Sequence, residues 1–196
     1  MFIQTEETPN PETLKFIPGE DVLGEISSVY YKDIDSAKGS PLAQNLFNIS
    51  GVTSVYLASD FLTVTLKDRK WENTKTEVLT TIVNHYLSGL PIIKEVKGLD
   101  NQKVNNLDDD VSIKINSIIE EKVRPAVARD GGDIIFNKFE DGVVYISMRG
   151  SCDGCPASQM TLKNGVENLL KHYVPEVESV VPVSYTHLTL PTNREV

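Results

Sequence analysis

The chain contains two thiols, Cys152 and Cys155, spaced C-x-x-C inside the run Gly150-Ser151-Cys152-Asp153-Gly154-Cys155-Pro156. Thiolate sulfur ligates metals and attacks disulfides, and two thiols at this spacing can do either as a pair. The spacing alone leaves three uses open: a redox dithiol, half of a metal site, or a reversible structural disulfide. One pair cannot staple a disulfide framework, so folding must come from packing.

The order of elements around the pair adds to this. A strand is expected to end at Arg149, Gly150 and Gly154 allow the backbone to turn tightly around the sulfurs, and Pro156 suits the first turn of a helix. Thiols at a helix N-terminus are expected to have a lowered pKa, with Arg149 adding positive potential. A tetrahedral zinc or a cubane iron-sulfur cluster usually takes four such ligands, and one chain supplies two. His172 falls at the far end of the helix that Pro156 begins and His85 in the other half of the chain, so both are read as solvated or core-edge residues. A metal therefore needs a second chain, and a two-fold dimer presents four cysteines. A thiol-disulfide oxidoreductase is the competing enzyme class, but its C-x-x-C follows the first strand of a βαβ unit, whereas here a hairpin precedes the motif and one strand follows. A zinc-stabilised interaction module is the third reading.

The elements that must carry this loop are read from apolar periodicity. Ile115, Ile118, Ile119, Val123 and Ala126 share a helical face that Pro125 should kink, and Asp130-Gly131-Gly132-Asp133 stops that helix. Ile134 to Phe139 and Val143 to Arg149 form a hairpin about Glu140-Asp141-Gly142, with Val144, Ile146 and Met148 on one face. Leu162, Val166, Leu169, Leu170 and Tyr173 mark the helix after the loop, and Val177 to Val181 a last strand. This half reads αββαβ. Asp108-Asp109-Asp110 is read as its N-terminal cap rather than a metal-binding cluster, and Met148 and Met160 as core residues rather than sulfur ligands.

The N-terminal half reads as mixed α and β. Phe2 to Thr5 and Leu14 to Ile17 pair across Thr8-Pro9-Asn10-Pro11. Ser40 and Pro41 start a short helix, Val52 to Leu57 and Phe61 to Leu66 form a hairpin, and Trp71 to Leu87 a helix. Lys67, Arg69 and Lys70 are read as a solvated turn rather than a docking patch. The expected division is an N-terminal domain at 1–93, a linker at 94–108, the cysteine-bearing domain at 109–182 and a non-native tail at 183–196, where an uncharged run resembles a translated adapter sequence. The fold class is α+β in two small domains.

Composition bounds the partners. The 196 residues are 40% hydrophobic and 24% charged, with a net charge of -9, which disfavours a phosphate-binding face and hence nucleic acid. No run approaches the roughly 18 apolar residues of a membrane span. The acidic start, MFIQTEETPNPE, is unlike a basic leader, so the expected location is a bacterial cytoplasm, with the mitochondrial matrix as the lesser possibility.

Four segments then agree in order with one family. Arg124-Pro125-Ala126-Val127-Ala128-Arg129-Asp130-Gly131-Gly132-Asp133, the loop from Gly150 through Ser158, Thr161-Leu162-Lys163 and Val174-Pro175-Glu176-Val177 resemble the C-terminal domain of NifU found in Nfu-type proteins. The run from Gln4 to Phe16 and the helix-hairpin-helix after it resemble the N-terminal domain of those proteins. The resemblance implies a [4Fe-4S] cluster held between two protomers by Cys152 and Cys155, accepted from an upstream scaffold and passed by thiolate exchange to apo iron-sulfur enzymes. No substrate bond changes, so no enzyme is implied. Ser151 departs from the Ala of many relatives and could donate a hydrogen bond towards a sulfur.

Overall fold

The computed structural model describes residues 2–24, 28–69, 71–94, 109–154 and 156–183, with backbone alone at residue 69 and at residues 156–159. Apart from Lys94 and Val183, the expected linker and tail lie outside the described residues, as do Lys70 and Asp108.

In the first half, two prolines that cannot donate to a ladder force the chain to reverse between β1 (Gln4–Glu7) and β2 (Thr13–Ile17). The strands pair antiparallel with Gln4 opposite Ile17, so β1 lies two residues later in the chain than the sequence suggested. Thr8 Oγ1 donates to the Thr13 carbonyl at 2.9 Å and closes the turn. Helix α1 (Pro41–Phe47) begins as expected, with Ser40 Oγ accepting from the Ala43 amide at 3.2 Å. β4 (Val52–Leu57) and β5 (Leu62–Leu66) form the expected hairpin, and α2 spans Trp71–Ser88. β3 (Val29–Tyr31) was not foreseen, because three residues are too few to display a period. The sheet order is β1-β2-β5-β4-β3, antiparallel throughout.

Strand residues alternate between the two faces of this sheet. Phe16, Val55, Leu57, Leu62 and Val64 pack against Leu42 and Leu46 of α1 and Val78 and Ile82 of α2. On the other face, Tyr56 and Phe61 are buried with Ile17, Tyr30 and Ala128, and Ala128 comes from the second half of the chain. Both faces of the central hairpin are therefore covered.

The second half starts with Asp109, whose Oδ1 accepts from the Ser112 amide at 2.6 Å and caps α3 (Asp110–Ile118). A π-helical turn at Ile119–Val123 leads into α4 (Arg124–Arg129). Pro125 lacks an N–H and crowds the carbonyl four residues back, so the expected kink takes the form of a widened turn just before the proline. β6 (Gly132–Glu140) and β7 (Val143–Gly150) are joined through Asp141 and Gly142, with φ of 48° and 77° as a type I′ turn requires. Helix α5 (Pro156–Tyr173) then carries the chain to β8 (Ser179–Pro182), parallel to β7. The core gathers Ile115, Ile119 and Val123 with Phe136, Ile146 and Leu170. The order is the αββαβ read from the sequence, and two separate sheets make the fold α+β.

Candidate functional site

The C-x-x-C loop leaves β7 at Gly150, whose φ of +63° suits glycine and whose position admits no side chain. A Cβ there would stand 2.6 Å from the Gly131 carbonyl oxygen. The neighbouring strand is equally bare, since a Cβ on Gly132 would lie 2.4 Å from Cys152 Sγ. Glycine at both positions lets Cys152 sit directly on the backbone that opens β6. The turn is pinned by Ser151 N–H to the Gly131 carbonyl at 3.1 Å and Asp153 N–H to the Gly150 carbonyl at 3.1 Å.

Cys152 is a free thiol only 6% exposed. Burial pushes its pKa up to about 11, the Ser151 hydroxyl opposes that shift, and Asp130, Asp133 and Asp153 add to it. The expectation of a lowered thiol pKa therefore does not hold for Cys152, whose burial and neighbouring carboxylates raise it. Cys155 lies outside the described residues. Ser151 makes the expected contact with a sulfur, Oγ to Cys152 Sγ at 4.0 Å, and its hydroxyl also donates to the Asp130 carbonyl at 2.6 Å. A cavity of about 330 Å³ opens beside the thiol, lined by Val127, Ser151, Cys152, Leu162 and, from the first half, Pro9. Among the described residues no three His, Cys, Asp or Glu side chains converge as a metal site.

Asp133 does more than start a strand. It is 3% exposed and receives a two-pronged pair from Arg124, Nε to Oδ1 at 2.8 Å and Nη2 to Oδ2 at 2.9 Å. Ser28 Oγ and the Ile134 amide also donate to it, at 2.9 and 2.8 Å. This pair ties α4 to the start of β6 and so fixes the glycines under Cys152. The sequence places Arg124 and Asp133 at the two ends of the family-like run but gives no sign that they pair, since the spacing of nine carries no signal by itself.

The remaining candidates scatter. Met148 is in the core, but Met160 is 67% exposed, contrary to expectation, because it faces outward on α5. His172 stacks edge-on against Tyr173 at 5.0 Å. Of the two places read for His85, solvated or core-edge, the structure excludes the first: the ring is buried beside Val22 and Leu23, and neither ring nitrogen has a hydrogen-bond partner among the described residues. Lys67 starts the short 3-10 turn Lys67–Arg69 that follows β5. Arg149 acts electrostatically on Tyr30 and Tyr56.

A hairpin, a glycine-cradled cysteine turn, a helix and a parallel return strand, joined to a separate five-stranded sheet, define a two-part α+β thiol-loop protein. The family model described as NifU-like domain matches residues 115–181, and the one described as scaffold protein Nfu/NifU N terminal matches residues 3–89. The chain belongs to this Nfu-type, NifU-like family. It is 45% identical over 184 residues to a Drosophila willistoni protein named NFU1 iron-sulfur cluster scaffold homolog, mitochondrial, a match covering 93% of this chain and 64% of that one. The Drosophila persimilis protein of the same name is 44% identical, with 93% and 65% covered. The chain thus spans less than two thirds of these relatives' length. A solution NMR structure of a NifU-like protein from Saccharomyces cerevisiae is similar at 28% identity and a TM-score of 0.44, covering 48% of this chain and 86% of that one.

Proposed function

We propose that this protein is an iron-sulfur cluster scaffold and carrier that holds a [4Fe-4S] cluster between two protomers and delivers it to apo-proteins. The observation that carries the reading is Cys152 in a side-chain-free glycine cradle at a strand-to-helix loop within the NifU-like match. The cluster is cargo, and Cys152 and Cys155 are its ligands. Two thiolates from each protomer complete the four ligands a cubane takes. Thiolates of an acceptor displace them one by one, so the cargo leaves without any substrate bond being made or broken, and the protein is not an enzyme. An upstream assembly scaffold is the donor and apo iron-sulfur enzymes are the acceptors.

The division at 1–93, 94–108 and 109–182 belongs to the same proposal, with residues 183–196 as a non-native extension. For compartment, the word mitochondrial in the relatives' names supports the matrix, the lesser of the two locations read from the sequence. Anaerobic reconstitution with iron and sulfide tests the function, on wild type, Cys152→Ser and Cys155→Ser. About two irons per protomer in a dimer, lost in both variants, is the expected outcome. A colourless monomer that turns over dithiol substrates would replace this reading with the thiol-disulfide oxidoreductase.

A further inference from the structure

A cluster shared by two protomers requires the cysteine loop to meet a second copy of itself, yet in this structure the loop already has an occupant. Asp153, between the two cysteines, accepts from Tyr30 OH at 3.0 Å, pairs with Lys32 Nζ at 3.3 Å and gives its backbone carbonyl to Asn10 Nδ2 at 3.4 Å. Asn10 lies in the first turn of the N-terminal sheet, Tyr30 in β3 and Lys32 just past its end. The contact continues beneath the loop, where Lys15 Nζ donates to the Arg129 carbonyl at 3.2 Å and Ser28 reaches Asp133. Side chains of the sheet press on the glycine backbone so closely that a Cβ on Gly131 would meet Thr63 Cγ2 at 2.9 Å, and one on Gly150 would meet Tyr56 Cδ1 at 3.3 Å. Pro9 lines the cavity beside Cys152.

We propose that the outer face of the N-terminal sheet is a built-in cover for the cysteine loop, and that it must leave before a second protomer can bring its thiols. The proposal rests on the shared-cluster reading. Two observations give the cover its character. It holds Asp153, so any contact that restrains that side chain restrains the loop carrying both ligands. It is also held mostly by polar contacts around a small aromatic patch, and Lys32 and Asp153 are 47% and 26% exposed, so its ion pair is a weak one. Interfaces of this kind between parts of one chain permit relative motion. The covered state holds the Cys152–Asp153 turn away from other partners, and the uncovered state presents it.

The test uses the reduced, cluster-free full chain and reads Cys152 alkylation by iodoacetamide through peptide mass spectrometry. A buried thiol reacts through its open population, so the rate reports the cover. The variants are Tyr30→Phe/Lys32→Glu, which removes one contact to Asp153 and reverses the other, and Lys38→Glu, whose pair with Asp35 is exposed and remote from the loop. The double variant should be alkylated about tenfold faster or more and show a larger radius of gyration by X-ray scattering, with Lys38→Glu like wild type. Circular dichroism confirms folding, and Asn10→Ala serves should the double variant fail to fold. Unchanged alkylation and dimensions would overturn the cover. If the opened variant reacts faster but no form takes up iron and sulfide, the cover stands and the cargo reading falls. If clusters assemble equally fast in wild type and opened variant, the cargo reading stands and the cover does not control it.

Discussion

Gly132 and Cys152 face each other so closely that a single methyl on Gly132 would stand 2.4 Å from the sulfur. No real contact of that kind survives, so one of the two must move. The sulfur can yield only by leaving its place against the opening of β6, toward the cavity that it lines with Val127 and Leu162. Gly132→Ala therefore displaces the loop rather than merely tightening it. Overpacking of this kind costs about 1–3 kcal/mol, to be read as a lower urea midpoint at unchanged slope. The same variant should take up less iron on reconstitution than its loss of stability accounts for, because the ligand itself has shifted. Wild-type stability together with wild-type iron content would show that the glycine is not a cradle.

Arg124 and Asp133 supply the second prediction. Asp133 is nearly fully buried, and the guanidinium is its principal compensation, with Ser28 and the Ile134 amide as lesser donors. Burial alone would lower the arginine's pKa, but Asp133 and Glu120 outweigh it and hold the side chain firmly charged. Arg124→Met leaves an uncompensated carboxylate. The cost is about 2–3 kcal/mol, below the value for a wholly buried pair because Arg124 is partly exposed. Arg124→Met/Asp133→Asn should be more stable than Arg124→Met alone, since the stranded charge is gone. Equal or lower stability of the double variant in urea would show that the pair contributes through packing and not through charge.

The features that were legible in the sequence and those that were not divide by distance along the chain. Ser40 before Pro41, Asp141-Gly142 between two alternating runs and Pro156 after a glycine-containing loop are local signals, and each element they announce is present. The αββαβ order follows from apolar period alone. Three kinds of feature escaped. β3 is too short to show a pattern. The fate of Cys152 turns on burial, which the dipole argument from Pro156 could not weigh against itself. The contact of Tyr30 with Asp153 joins residues 123 positions apart, and nothing in either neighbourhood announces it. Thus the motif and the elements that flank it could be read directly, whereas the contacts that the N-terminal half makes with its loop needed the fold.

The third prediction concerns His85, which α2 buries between Val22, Leu23 and the segment around Ile92. Desolvation lowers its pKa, and no described partner offsets that. The folded state therefore holds the imidazole neutral, while the unfolded chain titrates near 6.5. Between the folded value and that one the unfolded state binds more protons, so stability rises with pH. The contribution is fully present above about pH 6.5 and is lost as pH falls through the folded pKa. Carboxylates add their own loss below pH 5, so the informative comparison is wild type against His85→Phe between about pH 7 and pH 5. The variant should show a flatter dependence of its urea midpoint on pH across that window. Parallel curves would mean that His85 gains a proton in the folded state without penalty, and that water or a partner side chain reaches the ring.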